Sequence, residues 1–222
     1  MRKTRERIST RDLYNRIITL TNPNSAEAET YRIFRTNLLA KVADHSSPCI
    51  LITSAIEGEG KTTTAANLAV VAAQSSKKKV LLIDANLRNP RIHKLFRMFR
   101  NIGLSEVLTG QYHVQDVTMP SIEVPRLTLL PGGKIPPNEL IRESSIRLIL
   151  DDVKEDFDMV IIDSSPLLSS ADAQILAALV DGVVIVAGYR KVSREQSMQA
   201  KQMLDLVQAP LLGAVLNKQK KK

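Results

Sequence analysis

Cys49-Ile-Leu-Ile-Thr-Ser54 runs directly into Ala55-Ile-Glu57-Gly58-Glu59-Gly60-Lys61-Thr62-Thr63, and this junction decides the fold. The first segment is an apolar run of strand length, and the residues from Thr62 to Ala73 carry a helical pattern. A strand, a glycine-rich loop and a helix in that order form the setting of a Walker A loop, with Ala55 where the first glycine commonly stands. Gly58 and Gly60 let the backbone curl so that successive N–H groups face one centre. Lys61 then reaches the β- and γ-phosphates of a nucleotide, and Thr62 offers a hydroxyl to Mg²⁺. The helix N-terminus adds its positive end. Residues Glu57 to Thr63 are the expected nucleotide-binding stretch.

The same rhythm continues outward. Strands are predicted over Cys49–Ser54, Val80–Asp84, Leu127–Leu130, Met159–Asp163, Gly182–Ala187 and Leu212–Asn217. Helices are predicted over Thr62–Ala73, Ser144–Glu155, Ala171–Leu179 and Ser193–Val207. The strands are continuously apolar rather than alternating, which implies burial on both faces. Strands alternating with helices give a doubly wound α/β domain, a mainly parallel sheet flanked by helices in the P-loop manner. Residues 1–24 are basic and polar, end in the breaker cluster Thr21-Asn22-Pro23-Asn24, and read as an arm or linker. Ser25 caps a helix reaching about Val42, so 25–217 is the folded domain and 218–222 a basic tail.

Two further strands end in carboxylates, Leu81-Leu-Ile-Asp84 and Val160-Ile-Ile-Asp163. The carboxyl ends of parallel strands open onto the ligand crevice. Asp163 reads as the Walker B carboxylate on Mg²⁺, and Asp84 as a group that fixes the metal's water shell or the attacking group. Each has the competing reading of a turn or helix-cap residue. Arg88 and Arg91 either reach phosphates or a partner, or are surface charges. Ser164 and Ser165 either line the crevice or turn the chain before Pro166.

Composition narrows the function. The 222 residues are 44% hydrophobic and 24% charged, an ordinary globular balance, and no apolar run approaches bilayer length. The charged start lacks the apolar stretch of a secretory signal, which makes the cytoplasm the expected compartment. The single cysteine, Cys49, excludes an intramolecular disulfide, and three scattered histidines make no metal-ligand spacing. The net charge of +8 is concentrated at the ends, in Arg2, Lys3, Arg5 and Arg7 and in Lys218, Lys220, Lys221 and Lys222. Such runs suit an anionic membrane face or are solvated tails. With no tryptophan and 4% aromatics there is no stacking platform for nucleic acid.

The Walker A loop, Leu82-Ile-Asp84-Ala-Asn86-Leu-Arg88-Asn-Pro90 and Phe157-Asp-Met-Val-Ile-Ile-Asp163-Ser-Ser-Pro166 together resemble the bacterial tyrosine kinases of capsular and exopolysaccharide export. The second element resembles that family's Walker A′ motif. Glu29-Thr-Tyr-Arg32-Ile-Phe-Arg35 matches its E-x-x-R-x-x-R element, which implies ring-like self-association. On a helix Glu29 can pair with Arg32, while Tyr31, Phe34 and Leu38 form the adjacent core-facing stripe.

The resemblance implies an ATP- and Mg²⁺-dependent protein-tyrosine kinase with Lys61, Asp84 and Asp163 as its catalytic groups and Asp84 as candidate base. It also implies contact between Asn217 and the adenine base; the residue's other reading is a turn at a strand end. The expected partners are protein tyrosines and a membrane-embedded activator that recruits the kinase to the inner face of the membrane. Two departures stand out. Asn86 occupies a place where many members carry a second acid, and an amide cannot take a proton. No tyrosine follows Tyr189, where the family commonly has a terminal cluster. Two other readings follow, a positioning ATPase of the MinD/ParA type and a non-catalytic ATP-binding adaptor. The first typically needs an early loop lysine, and residues Ser54 to Glu59 contain none.

Overall fold

The computed structural model describes residues 9–75, 78–99, 102–134 and 141–219. The charged residues Arg2, Lys3, Arg5, Arg7, Lys220, Lys221 and Lys222 lie outside them. The centre is a seven-stranded sheet in the order β3-β4-β2-β5-β1-β6-β7. Its strands are β1 (Cys49–Thr53), β2 (Val80–Asp84), β3 (Met119–Pro120), β4 (Leu127–Leu130), β5 (Met159–Asp163), β6 (Gly182–Gly188) and β7 (Leu211–Asn217). All neighbours pair in parallel except the short edge strand β3, which runs antiparallel to β4.

β1, β2 and β5 are buried at every residue, and successive side chains go to opposite faces. Ile50, Ile52, Leu82 and Ile161 enter one core with α3 (Ala26–Lys41) and α4 (Lys61–Ser75). Leu51, Leu81, Val160 and Ile162 enter the other, with α8 (Glu143–Asp156), α9 (Ala171–Ala177) and α10 (Arg194–Leu206). This two-sided burial produces the continuous apolar runs in the sequence. α4 carries five alanines, all of them buried, and these small side chains let it lie close on the sheet. The predicted strands and long helices match these elements to within one or two residues at each end.

Two expectations are corrected. Residues 9–24 are not a free arm: they form α1 (Thr10–Tyr14) and α2 (Ile18–Thr21), with Ile17 fully buried. Buried Asn67 on α4 holds this segment. Its Oδ1 accepts from the Thr19 amide and hydroxyl, both at 3.0 Å, and its Nδ2 donates to the Arg16 carbonyl at 2.9 Å. The polar composition concealed one isoleucine and one threonine that make the contact, and burying such an isoleucine contributes roughly 1.5–3 kcal/mol. The second correction lies between Asp84 and Leu127. That stretch holds α5 (Ile92–Leu95), α6 (Leu104–Leu108) and α7 (Val114–Val117), each too short to show a helical period.

Candidate active site

Strand pairing brings the site together. In the register of β2 on β5, Asp84 stands directly beside Asp163, and β1, which feeds the glycine loop, flanks β5 on its other side. The crossover from β1 through α4 to β2 leaves β5 between them, so loop and carboxylates meet at one sheet edge.

The loop between β1 and α4 is held from within. Gly58 and Gly60 have φ of +73° and +106°, which other residues rarely adopt. Gly60 also has no room for a side chain, since a Cβ would lie 1.9 Å from Nδ2 of Asn217. That Nδ2 donates to the Glu59 carbonyl at 2.9 Å, and the Asn217 Oδ1 accepts from the Lys218 amide at 2.8 Å. The Glu59 carboxylate is fully buried and accepts from the Ile56 amide at 2.9 Å and the Gly188 amide at 2.8 Å. Glu59 therefore ties the loop to β6, and only its backbone remains to face a ligand. Asn217 likewise has both polar ends bonded to its own chain rather than free for a base. Glu57 is exposed at the loop tip.

Lys61 opens α4 and is buried at 6% exposure, its pKa lowered by burial against the opposing pull of Asp163, Glu59 and Glu57. Thr62 and Thr63 follow it, half-buried. Asp84 and Asp163 are both 0% exposed. The Asp84 pKa is raised by burial and by the Asp163 charge, against the amides of Ile92 and Arg91, which donate to its Oδ2 at 2.9 and 2.8 Å. The Asp163 pKa is also raised by burial, opposed by the Thr62 hydroxyl, Lys61 and Arg91. That hydroxyl is near enough to favour the charged form without meeting hydrogen-bond geometry. Oδ1 of Asp84 and both oxygens of Asp163 are thus buried with no hydrogen-bond partner in the protein. Two adjacent buried carboxylates with three orphaned oxygens beside a hydroxyl fit a divalent cation held partly by phosphate and water. Among the described residues no group of three or more acidic, histidine or cysteine side chains offers an alternative metal cage.

Asp84, the candidate base, lies deep in this arrangement. No part of the residue is exposed in this structure, and α5 amides occupy one oxygen, so a phenol does not reach it here. Asn86 sits at the crevice wall, 9% exposed, its Oδ1 accepting from the Ser165 hydroxyl at 3.0 Å. Arg88 is brought no closer to the site; its guanidinium stands 4.0 Å from Asp172 at the surface. Arg91 contributes an amide to Asp84 and a charge felt by Asp163. Lys191 had no signal in the sequence, and Lys218 was expected in a basic tail; both ammonium groups donate to the Gly58 carbonyl, at 3.1 and 2.7 Å. Cys49 is buried, its thiol pushed up to about 12 by burial, and takes no part.

Glu29 and Arg32 pair at 2.8 Å on α3, and Arg32 also reaches the Pro23 carbonyl at 2.6 Å. Arg35 turns the other way: its Nη1 donates to the Val71 carbonyl at 3.1 Å, and its buried Nε has no partner. A shallow cleft of about 360 Å³ lined by Lys79, Thr128 and Phe157 lies near the amino ends of β2 and β5, away from these groups.

A glycine loop closing on a helix, with two strand-end carboxylates beside it, defines a P-loop nucleotide-binding domain. A family model described as an AAA domain matches residues 48–211. Tyrosine-protein kinase YwqD of Bacillus subtilis (strain 168) is 42% identical over 206 residues, which is 92% of this chain and 86% of that protein. Among solved structures, the chimerical protein CapA2B2 superposes with a TM-score of 0.86 at 33% identity, covering 93% of this chain and 91% of the other. The kinase domain of Escherichia coli tyrosine kinase ETK superposes with 0.85 at 29% identity, covering 93% and 82%. The chain belongs to the bacterial tyrosine-protein kinases. Nucleotide binding and transfer of phosphate to tyrosine follow from that membership.

Proposed function

We propose that this kinase uses Mg-ATP to phosphorylate tyrosines in proteins that control capsular or extracellular polysaccharide synthesis. The observation that carries the site assignment is the register pair Asp84–Asp163, whose three partnerless oxygens lie beside Lys61 and Thr62. Asp163, Thr62 and Asp84, directly or through water, would hold the magnesium ion, which neutralises charge on the β- and γ-phosphates when bound. The amides of residues 57–63 cradle the phosphates, and Lys61 places its charge on the transferring group. The phenol oxygen bonds to the γ-phosphorus as the bridge to the β-phosphate breaks, and ADP leaves. The phenolic proton passes to water, since a loose transition state needs little help from a base.

Self-association through Glu29, Arg32 and Arg35 is supported by the exposure of the Glu29 and Arg32 charges on α3. Among the described residues no helix is long and apolar enough to cross a membrane. In this reading a membrane-embedded activator, the chain-length regulator of polysaccharide export, recruits the kinase to the inner face of the membrane. Basic residues near the surface would assist by roughly 1 kcal/mol each.

The test is phosphotyrosine formation on a generic tyrosine polymer with Mg-ATP, with and without an activator peptide, against Lys61→Met and Asp84→Asn. Signal that requires both residues is expected. Nucleotide binding without phosphotyrosine, even with activator, would leave an ATP-dependent adaptor.

A further inference from the structure

All four tyrosines of the chain fall within the described residues, and they differ sharply in access. Tyr31 is packed against the α3–α4 core, its phenol pKa raised by burial. Tyr14 lies under the Arg97 guanidinium, 3.7 Å from the ring centre. Tyr112 and Tyr189 are exposed to the same degree, 41% and 40%. Their surroundings separate them. Tyr112 stands between Gln111 and His113 in a turn after α6. Tyr189 stands at the end of β6, in the turn closed by the bond from the Lys191 amide to the Gly188 carbonyl, with the Arg190 guanidinium 5.2 Å from its ring. Its own amide donates to the Asn217 carbonyl at 2.8 Å, which brings the chain of Lys218 alongside.

Lys191 and Lys218 direct two like charges at one carbonyl, that of Gly58. Like charges so close repel, and a neutral carbonyl neutralises neither. The Glu59 carboxylate, whose charge acts on Lys218, is already engaged by two amides. The Lys218 pKa is lowered by burial first and then by Lys191 and Arg16, which together outweigh the attraction of the Glu59 carboxylate. The missing element is an anion, and the exposed hydroxyl in the same turn is a tyrosine's. A phosphotyrosine carries close to two negative charges and three acceptor oxygens, and such a group orders neighbouring cations around itself.

We propose that Tyr189 is a phosphate acceptor of this kinase, and that Lys191 and Lys218 then leave the Gly58 carbonyl to hold the phosphotyrosine. The inference rests on the tyrosine-kinase activity and adds the acceptor and its consequence. Transfer is between copies. Asp84 ends β2 and Tyr189 follows β6, two strands three positions apart in the sheet, about 14 Å at the usual strand spacing, and the Gly188 and Tyr189 amides tether the acceptor backbone. The phenol oxygen of one copy bonds to the γ-phosphorus of ATP on another, ADP departs, and the phenolic proton goes to water. Gly58 then loses both ammonium donors, which loosens the loop and weakens nucleotide binding.

The experiment uses the full chain with Mg-ATP and maps phosphate by peptide mass spectrometry. A mass-labelled Lys61→Met acceptor is mixed with a Tyr189→Phe donor, and a tyrosine polymer reports activity in parallel. Expected are phosphate on Tyr189 of the Lys61→Met copy, none on the donor, and polymer phosphorylation by Tyr189→Phe equal to that of the unsubstituted chain. A second reading compares ADP affinity of the phosphorylated and unphosphorylated chain, with a several-fold loss expected that Lys191→Ala/Lys218→Ala removes. Phosphate on Tyr112 instead, or no self-incorporation while the polymer is labelled, overturns the acceptor assignment alone. Failure to label the polymer as well overturns the kinase reading and this one with it.

Discussion

The two ends of the sheet treat aspartates in opposite ways. At the amino end, Asp181 precedes β6, and its carboxylate accepts from the Cys49 amide at 2.8 Å and pairs with Lys154 at 3.1 Å and with His45 at 3.4 Å. Asp158, exposed just before β5, takes the Lys79 amide at 2.7 Å. Here carboxylates join strand ends and loops, and each charge has its partners within the chain. At the carboxyl end, Asp84 and Asp163 lie side by side with three oxygens unmatched. A folded chain that leaves adjacent carboxylates in that state is less stable than it could be, and the deficit is made good by something that binds. The amino end holds the sheet, and the carboxyl end is incomplete without its ligand.

The sharpest way to break this comparison is Asp163→Asn. Losing the carboxylate should lower phosphotransfer by roughly 100-fold or more, the scale of deleting one preorganised charge from a transition-state site. The same change should raise the melting temperature of the ligand-free chain. The sign follows from the raised pKa values of the pair. Between the ordinary carboxylate range and those raised values the folded chain binds more protons than the unfolded one, so stability falls as pH rises through that window and levels off above it. The amide removes that loss, so the stabilising effect should be absent below the window and full above it. Thermal melts of ligand-free protein across pH, with and without the substitution, check the point. A variant that melts lower at every pH would mean that Asp163 is structural, like Asp181.

Asp181→Ala should behave in reverse. It leaves the part-buried Cys49 amide and Lys154 ammonium without their carboxylate, at a cost of about 1–3 kcal/mol. For a chain of this size that lowers the melting temperature by roughly 2–4 °C per kcal/mol. Nucleotide affinity and phosphotransfer, measured per folded molecule well below the melt, should be unchanged. If they fall along with stability, the two ends of the sheet are coupled and the division drawn here is wrong.

How far the sequence disclosed each end depends on whether its chemistry is local. The loop and both aspartates were legible because glycine at positive φ and carboxylates at strand ends leave a mark in consecutive residues. The strands were legible because two-sided burial makes them continuously apolar. The Asp181–Cys49 bond and the Gly188–Glu59 bond join residues more than a hundred positions apart, and nothing in either segment announces the other. Asn217 shows the same limit in a residue whose position was noticed. Its bond to the Glu59 carbonyl depends on Gly60 lacking a Cβ, a contact between distant segments. Asp84 was placed correctly at the carboxyl edge, but its depth was invisible, because burial depends on how α5 folds back over it. Residues 9–24 misled for a related reason: a mostly polar segment needed only Ile17 and Thr19, received by Asn67, to be held on the core.

The smallest expected effect concerns a charge pair at neither end. Glu29 and Arg32 are 58% and 36% exposed on α3. A helical pair so open to solvent contributes about 0.5 kcal/mol or less to the fold, and salt screens it further. Glu29→Ala should therefore move the melting temperature of the isolated chain hardly at all. Arg35→Ala should move it more, because Arg35 reaches the Val71 carbonyl at the far end of α4. Sedimentation velocity separates this fold contribution from self-association. If α3 is an interface, Glu29→Ala dissociates the assembly at low salt while leaving the melt of the dilute chain unchanged. An assembly indifferent to both substitutions would put the interface elsewhere and make α3 an ordinary solvated helix, its charges as locally settled as those of Asp181.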